Sequence, residues 1–162
     1  MSSEVPILSL RQAGLADLDA LEELEFDCFN SDRFSRRRWR YLLGRAHAIT
    51  LVLEDERALY EDERLLGYVM VLLRKNSRRA LLHSLCIHPC IQRQGYAVQL
   101  LNACERLANQ EGICTLWLDV HVDNKTALRL YEHHGFNRYS WEDAVYEDGG
   151  AAWRMEKHLS HM

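Results

Sequence analysis

The residues whose types and spacing point most directly to chemistry are Gln92, Arg93, Gln94, Gly95, Tyr96 and Ala97. They make a polar turn between two contrasting stretches. Before it, Leu81 to Ile87 is apolar apart from His83 and Ser84, and Pro89 closes it, as expected of a buried strand. After it, Val98, Leu100, Leu101, Cys104 and Leu107 recur at helical spacing. A turn running from strand straight into helix leaves the first helical amides without intrahelical partners. Those N–H groups and the helix dipole suit a phosphate or pyrophosphate. Gly95 allows close backbone approach, because no Cβ intervenes. Many helices open after a glycine, so the turn alone does not name a ligand.

A second cluster invites a metal reading and does not sustain it. Cys86, His88 and Cys90, with His121, offer soft ligands, but Pro89 interrupts them and no zinc-type spacing is present. The five cysteines (Cys28, Cys86, Cys90, Cys104, Cys114) are an odd, scattered set without a C-x-x-C pair. In a cytosolic protein such residues are reduced core thiols rather than disulfides. No metal is expected.

The elements that must position this turn follow the apolar pattern. Ile7 to Arg11 reads as a short strand, and Asp17 to Phe29 as an amphipathic helix carrying Leu18, Leu21, Leu24, Phe26 and Phe29. Ser35 suits an N-cap for a helix through Leu43, ended by Gly44. That helix carries Arg36, Arg37, Arg38 and Arg40, with Trp39, Leu42 and Leu43 as its inner face. Its arginines read as a solvated face with apolar stems, the competing reading being an anion- or nucleic-acid-binding surface. Ile49 to Leu53 and Leu65 to Leu73 are strands, joined through an acidic turn at Glu61 to Glu63. A basic turn from Arg74 to Arg79 precedes the strand Leu81 to Ile87, and the helix after the polar turn ends near Gly112. Thr115 to Val122 is the next strand, and Lys125 to His134 the next helix, with Gly135 at its C′ position. Phe136 to Asp143 and Ala151 to His158 complete a hairpin across Glu147, Asp148, Gly149 and Gly150. This is a mixed α/β pattern, expected as a single domain over residues 1–162.

The bulk properties agree. A chain of 162 residues, 48% hydrophobic and 27% charged, can bury a real core and falls in neither the disordered nor the membrane class. No apolar run reaches membrane-span length and no signal peptide opens the chain, so a cytoplasmic location is expected. The net charge of −4 gives no global field to attract nucleic acid.

A downstream run completes the pattern. Leu118, Asp119 and Val120 precede Asn124, Ala127, Leu130, Tyr131, Gly135 and Phe136. Together with Gln92 to Ala97, these residues resemble the GNAT superfamily of acyl-CoA-dependent N-acyltransferases. The turn fits that family's Q/R-x-x-G-x-G/A motif, and the later run its L-x-V…N-x-x-A-x-x-L-Y-x-x-x-G-F signature. The L-W-L-acid-V run from Leu116 is most similar to the ribosomal-protein and peptide N-terminal acetyltransferases. The resemblance implies a mixed sheet of about seven strands with flanking helices. Two central parallel strands, Leu81 to Ile87 and Thr115 to Val122, would splay apart.

Acetyl-CoA is the implied co-substrate. Its acetyl and pantetheine end would lie along Leu85, Cys86 and Ile87, with an amide near Ile87 facing the oxyanion. Its pyrophosphate would sit on the amides from Arg93 to Val98, within a cofactor-binding stretch of Gln92, Arg93, Gln94, Gly95, Tyr96, Ala97 and Val98. Many relatives carry glycine where Arg93 stands, and Ala97 replaces a common final glycine. Asn124 matches the asparagine that contacts the cofactor arm, and asparagine also suits an N-cap there. Tyr131 matches the phenol that protonates the leaving thiolate. Asp119 stands where relatives carry a catalytic glutamate. An aspartate of ordinary pKa near 3.9 is a weak base, so His83 on the neighbouring strand is the competing candidate. The implied acceptor is a primary amine, possibly a protein or peptide N-terminus. A small-molecule amine acceptor and a non-catalytic acyl-CoA-binding sensor are the alternatives. Neither nucleic acid nor membrane is an expected partner.

Overall fold

The computed structural model describes residues 8–29, 33–44, 47–58 and 64–159. The acidic turn expected at Glu61 to Glu63, and Ile7 of the first strand, lie outside the described residues. The strands are β1 (Leu8–Gln12), β2 (Ala48–Asp55), β3 (Leu65–Leu72), β4 (Arg79–Ile87), β5 (Thr115–His121), β6 (Asn137–Glu142) and β7 (Ala152–His158). The α-helices are α1 (Leu18–Cys28), α2 (Arg36–Gly44), α3 (Tyr96–Gln110) and α4 (Lys125–His133). One sheet runs in the order β1-β2-β3-β4-β5-β7-β6, antiparallel throughout except for the parallel pair β4 and β5.

The sheet separates two apolar layers. α3 packs against β2, β3 and β4 on one face, where Leu100, Leu101 and Cys104 meet Val69, Val71 and Leu116. α1 and α2 cover the other face, where Leu21, Leu24 and Trp39 meet Val52, Tyr68, Met70 and Cys86. β3 is covered on both sides, which explains its unbroken apolar run of seven buried residues from Leu65 to Val71. Ser35 caps α2 as expected, its hydroxyl accepting from the Arg38 N–H at 3.1 Å. Trp39 and Leu42 form the inner face of that helix, and Arg36 turns back to pair with Asp19 and Glu22.

In α1 the expected inner face needs one correction. Phe26 is 69% exposed, and Glu25, only 2% exposed, takes an inward place instead. The stripe Leu18, Leu21, Glu25 keeps helical spacing, and it carries Glu25 inward while Phe26 rotates to solvent. The buried carboxylate is satisfied. It accepts from Trp39 Nε1 at 2.7 Å, the Tyr68 hydroxyl at 2.9 Å and the Phe34 N–H at 3.2 Å. It therefore ties α1, α2, β3 and the segment entering α2 to one point. Burial raises its pKa, opposed by those hydrogen bonds.

Candidate active site

The site begins with a defect in the ladder between β3 and β4. The pairing steps from Met70↔Ser84 to Val71↔Leu82, leaving His83 as an extra residue in β4. Such a bulge bends its strand and re-aims side chains. Here it puts Leu82 with the α3 layer while Ser84 pairs with Met70 of the α1 layer. It coincides with the parting of the two parallel strands. β4 and β5 pair only at Arg79↔Thr115, Ala80↔Leu116 and Leu81↔Trp117. Beyond Leu81 and Trp117 neither strand has a ladder partner on the side facing the other.

A cleft of about 440 Å³ fills this gap. Leu82, His83, Ser84 and Leu85 form one wall, and Leu118, Asp119, Val120 and His121 the opposite one. Cys28 and Phe29 close it from α1, while Asn124, Ala127 and Tyr131 close it from α4. The cleft thus gathers Leu85, Asp119, Asn124 and Tyr131, all expected from sequence, and the competing base His83. The Cys86 side chain is buried in the α1 layer, and Ile87 packs toward the α3 layer, so only their backbone is suited to a ligand here.

The turn before α3 lies outside the walls of this cleft. Gly95 is its N-cap residue at φ +83°, and a Cβ there would meet nothing within 4 Å. Arg93 is also left-handed, at φ +66°. That conformation costs a non-glycine residue about 1 kcal/mol or more, which gives the physical reason glycine suits the position. Gln92 ties the turn back to β4 by donating from Nε2 to the Ile87 carbonyl at 3.1 Å. The first amides of the 15-residue helix α3 follow directly, with Gly95 at the N-cap making no side-chain hydrogen bond.

Each candidate group has a defined setting. Tyr131, 8% exposed, packs edge-on to Phe136 with ring centroids 5.6 Å apart, and its hydroxyl makes no hydrogen bond with the described residues. Burial pushes its phenol up, so it remains a proton donor through neutral pH. Asn124 fills the N-cap role, Oδ1 accepting from the Ala127 N–H at 3.1 Å and leaving its NH₂ free of that bond. Asp119 is held by a residue that the sequence did not single out. Arg154 on β7 donates from Nε at 2.9 Å and from a terminal nitrogen at 3.1 Å to its two oxygens. The Tyr146 hydroxyl donates to the Asp119 carbonyl at 3.2 Å. His83 stacks on Phe34 at 4.7 Å and meets Ser84 Oγ at 2.9 Å through Nδ1. Its edge is open to solvent, but the crowding around its ring lowers its pKa, and Arg38 adds repulsion.

His121 also lines the cleft without having been proposed for it. Its ring lies 5.0 Å from Tyr146, its Nε2 3.0 Å from Asp148, and its Nδ1 accepts from the Asp123 N–H at 3.1 Å. With both nitrogens engaged it braces the β6–β7 connection. No group of three or more His, Cys, Asp or Glu suited to a metal occurs among the described residues.

A splayed parallel pair, a bulge at the parting point and a helix opened by a left-handed glycine define a class of fold. The chain belongs to the acetyltransferase (GNAT) family, whose model matches residues 18–136. It is 44% identical over 59 residues to a [ribosomal protein bS18]-alanine N-acetyltransferase of Haemophilus ducreyi. That match spans 36% of this chain and 41% of the relative, so it covers about two-fifths of the curated protein's length. Over nearly its whole length the fold matches the ribosomal-protein-S18-alanine N-acetyltransferase of Escherichia coli. The TM-score is 0.82 at 23% identity, covering 96% of each chain. Arabidopsis thaliana NAA60 in complex with acetyl-CoA gives a TM-score of 0.81 at 16% identity, over 94% of this chain and 99% of that one.

Proposed function

We propose that this chain transfers an acetyl group from acetyl-CoA to a primary amine, the α-amine of a protein or peptide N-terminus, by direct attack in a ternary complex. The parting of β4 from β5 carries this reading. It opens a cleft lined by a phenol, a carboxylate and an imidazole, and β4, one of its walls, leads on to the start of α3, whose first amides suit an anion. The relatives named as protein N-acetyltransferases support the choice of acceptor. A cytoplasmic location and a single domain over residues 1–162 belong to the same reading.

In this mechanism the pyrophosphate rests on the amides from Arg93 to Val98, with the Arg93 side chain adding a cation. The pantetheine arm lies along Leu85, Cys86 and Ile87 and takes the backbone groups that β5 leaves unpaired. The Asn124 amide donates to that arm. The amine lone pair attacks the thioester carbon, and an amide near Ile87 faces the oxyanion. As the C–S bond breaks, the Tyr131 O–H gives its proton to the sulfur. The amine proton passes to Asp119 through water, with Arg154 fixing the carboxylate's orientation. A second reading, with His83 as proton acceptor, is favoured by one observation: Arg154 already occupies both Asp119 oxygens.

Two measurements test this. Acetyl-CoA at about 100 times its dissociation constant should stabilise the fold by about 2.7 kcal/mol, a melting shift of roughly 5–10 °C at this size. Gly95→Glu should abolish that shift. An unshifted wild type would remove the cofactor assignment. Thiol release from acetyl-CoA is then followed with N-terminal peptides, blocked lysine peptides and small amines. Preference for either of the last two would overturn the acceptor, and release with none would favour a sensor. Between the bases, Asp119→Asn and His83→Gln are compared in pH–rate profiles, the true base being the variant whose deficit is greatest at low pH.

A further inference from the structure

Two cavities lead away from the cleft in series, only the first of them adjoining it directly. The first, about 440 Å³, shares Leu82, His83, Asp119 and Tyr146 with the cleft and adds Arg33 and Arg38. The second, about 400 Å³, continues from it across Leu81, which lines both, onto Trp117, Arg74, Arg79 and Arg154. Arg154 of the second cavity holds Asp119 of the first. The basic stretches of α2 and of the β3–β4 turn, far apart in sequence, thus meet along one path leading away from the cleft.

The charges along this path do not balance. Five arginines line the two cavities, against Asp119 and Glu147. Arg154 is matched by Asp119 and reaches Glu142 at 3.5 Å, and Arg79 is matched by Glu156 at 3.0 Å. Arg38 and Arg74 form no ion pair with the described residues, and Arg33 is close enough to the Glu25 carboxylate to favour its charged form. Arg33 also lies over the Phe26 ring, at 5.1 Å. Planar guanidinium forks match carboxylates in geometry as well as charge. A nucleic-acid strand would need free aromatic faces for stacking. Of the aromatic residues in the second cavity, Trp117 has the Arg154 guanidinium over one ring face at 4.6 Å, and Tyr139, exposed at the rim, accepts from Arg79 at 3.5 Å.

We propose that these two cavities form one groove for the segment directly behind the acceptor's terminal amine, and that this segment is acidic. The proposal rests on the acyl-transfer reading for the placement of the amine, and deepens it by naming the substrate class. An amine held in the cleft must send its chain out past His83 and Asp119. There Arg38 stands beside the first residues, and Arg74 beside those that follow across Leu81.

The test uses three peptides with one N-terminal residue and with acidic, neutral or basic residues at positions two to four. The acidic peptide should exceed the neutral one in kcat/KM by about tenfold, the combined effect of two exposed ion pairs. That advantage should shrink as salt rises. Arg38→Glu and Arg74→Glu, both at exposed positions, should reverse the order while the acetyl-CoA melting shift persists. Anisotropy of a fluorescein-labelled acidic peptide reads binding without turnover. If that peptide binds, is lost in Arg38→Glu and is never acetylated, the groove stands and the acyl-transfer reading falls. Equal or better binding and use of the basic peptide would overturn the groove. So would tighter binding of a single-stranded RNA oligomer than of the acidic peptide.

Discussion

Glu25→Ala is the sharpest perturbation of the frame that holds the acceptor side of the site. The wild-type carboxylate, 2% exposed, accepts from three donors on three different elements. Truncation leaves the Trp39 indole N–H, the Tyr68 hydroxyl and the Phe34 N–H without their acceptor, at about 1–3 kcal/mol for each donor left dry. Two effects oppose this: the carboxylate no longer has to be desolvated, and water can occupy the vacated space. The expected net loss is about 3 kcal/mol, which at this chain length lowers the melting temperature by about 6–12 °C. Glu25→Gln keeps the shape and one carbonyl, and the Tyr68 hydroxyl can rotate to accept from the new amide. Its loss should be about 1 kcal/mol.

The pH dependence has a definite sign. Because burial raises the folded pKa of Glu25 above its ordinary value of 4.5, the native state holds the proton more tightly than the unfolded chain. Wild type should therefore lose stability relative to Glu25→Gln as pH rises from about 4.5 through the raised folded value, then stay level. Thermal melts of the three proteins at several pH values decide the matter. A Glu25→Ala protein melting within 2 °C of wild type would refute the reasoning, because three dry donors cannot be that cheap. Phe34 both donates to Glu25 and stacks on His83, so the surviving fold should show a raised acceptor KM with an unchanged acetyl-CoA affinity.

Tyr131→Phe keeps the ring packed on Phe136 and should lower turnover by about 10²–10⁴-fold with acetyl-CoA affinity retained; near-normal single-turnover rates would exclude the acid role. Arg93→Gly should leave the melting temperature within a few degrees, since relief of the left-handed strain offsets the extra chain entropy of glycine. It should also weaken acetyl-CoA binding, and calorimetric titration reads that loss. His83 has its pKa lowered, so the unfolded chain binds the proton more readily, and stability should fall as pH drops below the ordinary value of 6.5. Melts of wild type and His83→Gln between pH 5 and 7 should diverge in that direction.

Much of this was legible in the sequence because it is local. The turn into α3, the helical repeat after it and the Asn124 cap each depend on residues within one or two turns of chain, and the structure has all three, with Tyr96 and Ala97 already inside the helix. The bulge at His83 was not legible, since inserting one residue into an apolar strand leaves the run apolar while reversing the side-chain alternation. The Asp119–Arg154 pair was hidden for a different reason. It needs the antiparallel register Asp119↔Arg154, set by the β6–β7 return and not by any spacing in the chain. Glu25 could have been found: it continues the stripe of Leu18 and Leu21, and only the habit of placing acids outward conceals it.

The position of β7 has a consequence in time. β7 follows β6 in the chain yet lies between β5 and β6 in the sheet. As the chain leaves the ribosome, β6 emerges with no neighbour to join, and the outer edge of β5 stands bare. Neither is relieved until Ala152 to His158 threads between them. The same strand delivers Arg154, so Asp119 waits as a lone carboxylate through that interval, and the groove beside it does not yet exist. A nascent chain with its Gln92 to Ala97 turn, its α3 layer and its tyrosine already in place would still lack the arginine that orients Asp119 in the cleft wall. An open strand edge of that kind recruits other chains, which makes the moments before β7 closes the sheet the ones in which this protein is most exposed to misassembly.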